Sequence, residues 1–432
     1  MRILIYGINF TPELVGNGKY TGEMVEWLAR HGHEVRVVTA PPFNPSYKIG
    51  EGYSAWRYRR QRFTTADGAG SFTAFRCPLY VPPNLSAVRR ILHLASFAVS
   101  SLPVMVLQAF WRPSLVIVIE PTAFCMPGGA ITAWLSGARS WLHIQDFEVD
   151  AGFALGLLKS TTLRNLIVAL DRKLMLKFDR VSTISGKMME RLGDKGFPPE
   201  RSVMFPNWVD TKAIFPAGKA SPLREELGIR DDAVVALYSG TMGRKQGLEI
   251  MAKAADFLSK KKSIQFVFCG EGPYRATLEG LSARLPNVHW LPLQPFDRLN
   301  DLMNLADIHL LPQCAEAADL VMPSKLTGMF ASGRPVVATA DNGTQLAAAV
   351  RECGVVVPPD DATRFSEAIV QLAENAELRT RLGRNARQCA EMTLDKEKIL
   401  MAIDEEFSRV VGSSYRPNIS RAAETQPLRD VS

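Results

Sequence analysis

The chain has 432 residues, of which 47% are hydrophobic and 22% are charged. This composition is typical of a globular protein and excludes a mainly disordered, collagenous or coiled-coil chain. The length predicts two domains rather than one. The six cysteines form no CxxC pair and no Cys/His cluster with metal-ligand spacing, so we expect reduced cysteines, as in the cytoplasm. The N-terminus lacks the pattern of a signal peptide, so export is not expected.

Short apolar runs alternate with helical periods along the chain, which is typical of parallel α/β units. The first series of predicted strands comprises residues 2–6, 34–39, 115–119, 140–145, 181–184 and 202–205. The second series comprises residues 233–239, 264–269, 288–290, 308–311, 335–338 and 354–357. Each series predicts a doubly wound parallel sheet. The expected fold is therefore α/β, with two Rossmann-like domains.

The periodicity is interrupted at residues 206–222, which are rich in Pro, Gly and small polar residues. We expect an N-terminal domain over residues 1–210 and a C-terminal domain over residues 211–411, whose last helix can cross back to the first. Residues 412–432 are polar, lack periodicity and predict a disordered tail. Ligands of open parallel sheets bind beyond the carboxyl ends of the strands, so the loops after strands are the expected site.

Positive charge is concentrated in the first half of the chain. Residues 1–215 contain 25 Lys and Arg against 16 Asp and Glu, and residues 216–432 contain 26 against 28. Eight arginines and one acid, Asp67, lie between residues 57 and 112. This patch predicts a surface for anionic lipid or a phosphorylated substrate, or a merely solvated face. No helix-turn-helix, zinc-finger or RNP-like signature accompanies it, so nucleic acid is not an expected partner.

An apolar segment follows the arginines. Residues 91–111 contain no Asp, Glu, Lys or Arg and are long enough to cross a bilayer. Pro103 and several polar residues argue against a span. The alternatives are a helix buried in the first domain and a helix that docks at the membrane interface, where flanking arginines and Trp111 would face anionic headgroups.

Glycine-rich loops follow strands in both halves. After the first strand come Gly16 and Gly18, in a loop that opens a helix and can face a phosphate or a sugar, although a tight turn would need the same glycines. The second strand ends without the acid that holds a ribose, which disfavours a nicotinamide cofactor.

The second half repeats this arrangement. Gly240 follows a strand and precedes two cations, Arg244 and Lys245, at the mouth of the next helix, which favours a diphosphate. Gly270 and Glu271 follow the next strand, and a later helix opens with Ser324 and Lys325. The order and spacing of these motifs together are more specific than any one of them.

With these motifs the sequence resembles the family 4 retaining glycosyltransferases of GT-B architecture. The resemblance covers about residues 1–411, through the glycine loops and through DRVSTIS, PNWVD, SGTMGRKQG, GEGP and ASGRPVVAT. Two segments, HIQDFEVD and AADLVMPSKLT, are similar to the branch that includes the colanic-acid fucosyltransferase.

The resemblance implies a cytoplasmic enzyme, peripheral at the inner membrane, that transfers a sugar from a nucleotide-diphosphate donor to an undecaprenyl-diphosphate-linked saccharide in exopolysaccharide biosynthesis. It implies no cofactor. The donor-binding residues it implies are Gly16, Gly18, Gly240, Arg244, Lys245, Gly270, Glu271, Ser324 and Lys325. A nucleotide-sugar 2-epimerase and a non-catalytic partner in a polysaccharide-assembly complex are the alternatives.

The chain departs from the family pattern in its second half. The family's two glutamates, with seven residues between them, would fall at Leu320 and Gly328. The neighbouring Glu316 and Asp319 are out of register with them. Lys325 and Ser324 therefore become stronger candidates for holding the donor phosphate.

The segment HIQDFEVD, residues 143–150, closes a strand of the first domain. Its acids Asp146, Glu148 and Asp150 alternate, and we expect Asp146 or Glu148 to orient or deprotonate the acceptor hydroxyl. A metal site of Asp-x-Asp type is the alternative, although GT-B enzymes generally need no metal. In the family a histidine often directly precedes the aspartate; here Gln145 holds that position, and His143 lies two residues earlier on the same face of the strand. His143 is interpreted either as a catalytic residue or as a buried core histidine.

Overall fold

The computed structural model describes residues 1–13, 16–44, 47–82, 86–121, 123–147, 161–218, 220–243, 246–314 and 323–412. The chain forms two compact units. The first contains residues 1–184 and 188–205 and the chain from Leu400 onward, and the second contains residues 185–187 and 206–399. The helix at the end of the described chain thus begins in the second unit and continues in the first.

The first unit is built on a sheet of eight strands in the order β3-β4-β2-β1-β5-β6-β7-β8. The strands are β1 Arg2–Tyr6, β2 Glu34–Thr39, β3 Arg59–Thr64, β4 Ser71–Arg76, β5 Leu115–Glu120, β6 Arg139–Ile144, β7 Arg180–Thr183 and β8 Ser202–Met204. All neighbouring strands are parallel except β3, which runs antiparallel to β4 at the edge. The inner strands are buried along nearly their whole length because helices cover the sheet.

The helices of the first unit are α1 Gly16–Arg30, α2 Ala87–Ala109, α3 Cys125–Ser136, α4 Thr161–Met175 and, from its third residue onward, α5 Gly186–Asp194, with a short 3₁₀ turn at Pro199–Arg201. One core cluster joins the sheet to them, and in it Leu4, Tyr6 and Val118 meet Phe97 of α2 and Met126 of α3. The tyrosine of β1 contacts both helices, because its hydroxyl lies 2.6 Å from Ser101 Oγ of α2 and its ring approaches Gly128 of α3. Helices α2 and α3 therefore lie side by side on one face of the sheet.

The second unit has a six-stranded, fully parallel sheet in the order β11-β10-β9-β12-β13-β14. Its strands are β9 Val234–Ser239, β10 Ile264–Cys269, β11 Val288–Leu291, β12 Ile308–Leu311, β13 Val336–Thr339 and β14 Gly354–Val357. Its helices are α6 Leu223–Glu226, α7 Glu249–Phe257, α8 Arg275–Ser282, α9 Leu299–Leu305, α10 Lys325–Ala331, α11 Gln345–Val350, α12 Ala362–Glu374 and α13 Ala376–Thr393, with a 3₁₀ turn at Phe296–Arg298. Two core clusters line the two faces of this sheet.

The helix α14, Lys396–Val411, ends the described part of the chain. Phe407 packs edge-on against Trp141 of β6 at a centroid distance of 4.8 Å. Asp404 lies 3.0 Å from His33 Nε2, and both residues are buried. His33 immediately precedes β2, so this pair ties α14 to the amino edge of the first sheet. The expected disordered tail lies outside the described residues.

Two features of the first sheet were not expected. The sequence predicted no strand between residues 39 and 115, whereas β3 and β4 form a hairpin there. The arginine patch was expected to form a surface, but Arg76 does not belong to it, because its side chain is only 2% exposed. The side chain lies beneath the carboxyl edge of the sheet because backbone carbonyls there accept its hydrogen bonds.

The apolar segment forms α2, which is buried on one face only. His93, Leu94, Phe97, Ser101 and Met105 are buried at intervals of one helical turn. The opposite face carries Val88, Leu92, Val99 and Leu102, all exposed. By length and composition alone, the helix is long and apolar enough to cross a membrane. Within its 18-residue apolar stretch, 33% is buried. The helix therefore packs on the first unit along one face and leaves the opposite face exposed.

Candidate active site

The glycine loops of the second unit meet at the carboxyl edge of its sheet. Gly240 and Gly270 directly follow the neighbouring strands β9 and β10 and have φ values of +139° and +141°. A Cβ on Gly270 would lie 2.0 Å from the carbonyl oxygen of Gly240, and one on Gly272 would lie 2.2 Å from that of Met242. The two loops also exchange backbone hydrogen bonds, including Met242 N to Glu271 O at 2.8 Å. Only glycine permits this close backbone approach.

The ammonium of Lys325 lies at the same edge. Its Nζ donates to the hydroxyl of Tyr238 at 3.0 Å and lies 4.4 Å from the centroid of that ring. A Cβ on Gly240 would be 3.1 Å from the same Nζ, so the absence of a side chain at Gly240 leaves the ammonium room. Burial lowers the pKa of Lys325 to about 8. A desolvated cation beside a glycine-lined edge is chemically suited to receive phosphate oxygens.

The remaining expected donor residues of the second unit differ in their surroundings. The exposed Glu271 pairs with Arg275 at 2.5 Å, and Arg275 also donates to the carbonyl of Gly270 at 2.8 Å, so this ion pair braces the glycine turn. The exposed Ser324 precedes α10 and makes no capping hydrogen bond through its side chain. Arg244 and Lys245 lie outside the described residues, as do Leu320, Glu316 and Asp319.

In the first unit, Gly16 is the first residue of α1 and has a φ of +57°. Gly18 packs so closely on Glu13 that a Cβ there would lie 2.6 Å from the Cβ of Glu13. The turn follows β1, and the carboxyl ends of β2, β5 and β6 lie beside it in the sheet. The glycine turn is thus at the carboxyl edge of the first sheet, where ligands of such sheets bind.

His143 is buried in β6, and hydrogen bonds hold both ring nitrogens. Its Nδ1 lies 2.9 Å from Ser182 Oγ and its Nε2 lies 3.0 Å from Gln145 Nε2. Burial lowers the pKa of His143 to about 3, so the ring is neutral at physiological pH. This geometry favours the core reading of His143 over the catalytic one. Asp146 follows two residues after β6 and is half-buried, whereas Glu148 and Asp150 lie outside the described residues.

Three residues at these edges were not singled out in the sequence. Glu13 and Arg76 are buried at the edge of the first sheet, and Tyr238 is buried at the end of β9. Glu13 was visible only as one acid beside a glycine loop, and Arg76 only as one of many arginines. Tyr238 stood inside an apolar strand run, where a tyrosine carries no distinctive signal. Among the described residues, no group of three or more His, Cys, Asp or Glu side chains is arranged to hold a metal ion.

Comparison with known proteins identifies the family. A family model described as glycosyl transferases group 1 matches residues 220–389, and one described as a glycosyl transferase 4-like domain matches residues 15–208. The glycosyl transferase WcaI of Escherichia coli (strain K12), whose name assigns it to colanic acid biosynthesis, is 45% identical over 410 residues. That match covers 93% of this chain and 98% of the relative.

Two solved structures have the same fold. Sucrose-phosphate synthase from Thermosynechococcus elongatus matches with a TM-score of 0.71 at 16% identity, over 96% of this chain and all of that one. HepE of Anabaena, solved in complex with UDP, matches with a TM-score of 0.68 at 15% identity, over 95% of this chain and all of that one. Both likenesses extend over the two Rossmann-like units. The chain therefore belongs to the group 1 glycosyl transferases and is a glycosyltransferase with the GT-B fold.

Proposed function

We propose that the chain transfers a sugar from a nucleotide-diphosphate donor with retention of the anomeric configuration. The observation that carries the donor assignment is the ammonium of Lys325 at the glycine-lined edge of the second sheet. The solved HepE complexes with UDP and with UDP-glucose support a donor of this class. Retention follows from the family resemblance.

The proposed chemistry assigns a role to each part of the site. The leaving group is a nucleoside diphosphate, so electrostatic stabilisation of its departing phosphate oxygens supplies most of the rate enhancement. Lys325, Arg244 and Lys245 provide positive charge, and Ser324 and the backbone at Gly240 and Gly270 provide hydrogen bonds. Gly16 and Gly18 offer backbone N–H groups to substrate at the carboxyl edge of the first sheet. Asp146 or Glu148 orients or deprotonates the acceptor hydroxyl.

We propose a lipid-linked saccharide as the acceptor, within exopolysaccharide biosynthesis. The 45% identity to WcaI over nearly the whole of both chains supports a related assembly role, with fucose as a candidate sugar from the resemblance. Such an acceptor remains in the bilayer, so the enzyme must work at a cytoplasmic membrane surface. An apolar docking surface supports this assignment over a 2-epimerase, whose substrates are soluble.

The proposed docking surface consists of the outward faces of α2 and α3, which we call the α2–α3 face. On α2 its exposed residues are Val88, Leu92, Val99 and Leu102, which recur at helical spacing. On α3 they are Ile131, Trp134 and Leu135, and Trp134 is 79% exposed. Residues 91–109 and the whole of α3 contain no charged side chain. Exposed apolar surface of this extent marks a membrane or protein partner.

Positive charge beside the α2–α3 face supports a membrane as its partner. The Tyr58 hydroxyl donates to the carbonyl of Ser100 at 2.8 Å, which holds residues before β3 alongside α2. Arg60 and Arg62 are two and four residues after Tyr58, so all three side chains lie on the same face of the sheet. Arg60 lies over Phe75, on the face that α2 covers. Exposed arginines beside an apolar helical surface match an anionic leaflet.

The donor assignment is tested by a thermal-shift screen of purified protein against UDP-glucose, UDP-galactose, GDP-mannose and GDP-fucose, followed by release of UDP or GDP from the sugar that stabilises it. We expect one donor class to raise the melting temperature and to be turned over. Binding without turnover or transfer to any lipid-linked saccharide would favour the non-catalytic partner. Conversion of a free UDP-sugar to its epimer would favour the 2-epimerase.

A further inference from the structure

Two buried charged residues lie at the carboxyl edge of the first sheet, outside the roles assigned above. Glu13 follows β1 and is 5% exposed, and Arg76 ends β4 and is 2% exposed. Each side chain reaches loops that are distant in sequence. The two charges are near enough to stabilise each other electrostatically, although their side chains form no direct ion pair in the described structure.

The carboxylate of Glu13 joins the loop after β1 to the loop after β2. Its Oε1 accepts hydrogen bonds from the backbone N–H groups of Phe43 at 2.9 Å and Asn44 at 3.0 Å. Its Oε2 accepts from Asn9 Nδ2 at 2.9 Å. The same oxygen would lie 2.7 Å from a Cβ on Gly18, so the carboxylate rests directly against the first turn of α1.

The guanidinium of Arg76 joins the same two loops from the other side. It donates to the carbonyl of Thr11, after β1, and to the carbonyl of Ala40, after β2, the latter at 2.8 Å. Its Nε donates to Gln61 Oε1 at 3.2 Å, and the rings of Phe10 and Tyr53 cover it at 5.4 Å each.

Burial of these charges is costly, and stability alone does not require them. Burial raises the pKa of Glu13 and lowers the pKa of Arg76 to about 10, so both charged forms pay for desolvation. Well-packed apolar side chains would hold a core at least as firmly. What the two charges supply instead is a fixed conformation for two loops at the edge where an open parallel sheet receives its ligand.

We propose that Glu13 and Arg76 are positioning residues for glycosyl transfer, which hold the glycine turn of α1 and the loop at residues 40–44 in the conformation that receives substrate. The proposal rests on the substrate contact assigned above to Gly16 and Gly18. The effect is preorganisation: loops that are already ordered need not be ordered when the substrate binds, and a misplacement of about 1 Å can cost about 10²-fold in rate.

The test compares Glu13→Gln with Asp404→Asn in the full chain. Each removes one negative charge from a residue of 5% exposure in the same unit. Asp404 pairs with His33 at the opposite, amino edge of the sheet, so its variant controls for the loss of a buried charge as such. Hydrogen exchange, melting temperature, UDP and GDP affinity, and nucleotide release from UDP-glucose and GDP-fucose are measured for wild type and both variants.

We expect Glu13→Gln to speed amide exchange at Phe43 and Asn44 by about tenfold or more. We expect it to lower kcat by at least tenfold while UDP and GDP affinities stay within twofold, since those depend on the second unit. Asp404→Asn should lower the melting temperature and leave exchange at residues 40–44 and kcat per folded molecule unchanged. Should Glu13→Gln not fold, Asn9→Ala, which removes one of the three bonds to the carboxylate, should lower kcat severalfold.

Unchanged exchange at Phe43 and Asn44 in Glu13→Gln would overturn the proposal, as would wild-type kcat in that variant or in Asn9→Ala. Equal losses of kcat in Glu13→Gln and Asp404→Asn would reduce Glu13 to a structural residue. A wild-type enzyme that releases nucleotide from neither donor would count against the donor assignment alone, and the exchange measurement would still decide the role of Glu13.

Discussion

The ammonium of Lys325 lies 3.0 Å from the hydroxyl of Tyr238 and 4.4 Å from the centroid of its ring, although 87 positions separate the two residues in the sequence. Tyr238 in turn donates to the carbonyl of Thr241 at 2.7 Å, in the loop that carries Gly240. The strand, the glycine loop and the lysine are thereby held as one arrangement. Its consequences for donor binding can be measured directly.

Replacement of Lys325 by Ala should weaken binding of UDP or GDP, whichever the enzyme prefers, by about 1 to 3 kcal/mol. This is the range for the loss of a charge-assisted hydrogen bond. Isothermal titration calorimetry measures the change. Lys253→Ala, at an exposed position of α7, removes the same charge away from the edge and should leave affinity within twofold. Equal affinity in wild type and Lys325→Ala would remove this lysine from the donor site.

Nucleotide binding should weaken as pH rises from 7 to 9. Burial lowers the pKa of Lys325 to about 8, so the free enzyme loses this positive charge as pH rises through that value. A bound diphosphate favours the charged ammonium, so binding near pH 8 should take up a proton. Calorimetry in buffers of different ionisation enthalpy detects that proton. Lys325→Arg keeps its charge throughout and should flatten the pH dependence; an unchanged slope would contradict the assignment.

Gly270→Ala should destabilise the protein by about 2 to 5 kcal/mol. The new Cβ would overlap the carbonyl of Gly240 at 2.0 Å, and a φ of +141° is strained for any residue with a side chain. Gly280→Ala is the matched control, because nothing lies within 4 Å of its Cβ in α8 and alanine favours a helix by about 0.5 to 1 kcal/mol. Urea unfolding measures both. Similar free energies of unfolding for the two variants would show that the loops after β9 and β10 can move apart at little cost, and would contradict the prediction.

The α2–α3 face should bind vesicles of phosphatidylglycerol and phosphatidylethanolamine. Val99→Ser combined with Trp134→Ser should release most of the protein in a sedimentation assay, because two of its most exposed apolar side chains are lost. Phe257→Ser, at an exposed apolar position of the second unit, should have no effect. Wild-type protein that fails to sediment with these vesicles at low salt would end the docking proposal.

Arginines on the two faces of β3 should contribute unequally to vesicle binding. Arg60 and Arg62 share the face that α2 covers, whereas Arg59 lies on the other face, over Tyr53. Each arginine near an anionic leaflet adds about 1 kcal/mol. Arg60→Gln with Arg62→Gln should therefore lower the partition coefficient by about tenfold or more, and Arg59→Gln much less. High salt should release less protein than removal of the apolar side chains, because salt does not screen apolar contact.

The local pattern of the sequence determined most of the two sheets. The runs at residues 2–6, 34–39, 264–269, 308–311 and 354–357 form strands with the bounds expected from periodicity, and the other predicted strands differ by one residue at one or both ends. A fully buried parallel strand needs a continuous apolar run, and that requirement can be read from neighbouring residues. The positions of Gly240 and Gly270 after strands were likewise legible, since glycine marks turns of positive φ.

The hairpin of β3 and β4 was not predicted from the sequence, because β3 is an edge strand rich in arginine and has no apolar run typical of a strand. Its strand conformation depends on its pairing with β4. The burial of Arg76 and Glu13 depends on carbonyl and N–H groups from loops up to 65 positions away. The exposure of one face of α2 depends on α3 and the sheet, which leave that face uncovered. Periodicity is a property of adjacent residues, whereas burial, pairing and pKa are properties of neighbours in space, so only the tertiary structure decided which charges are buried and which apolar surface remains open.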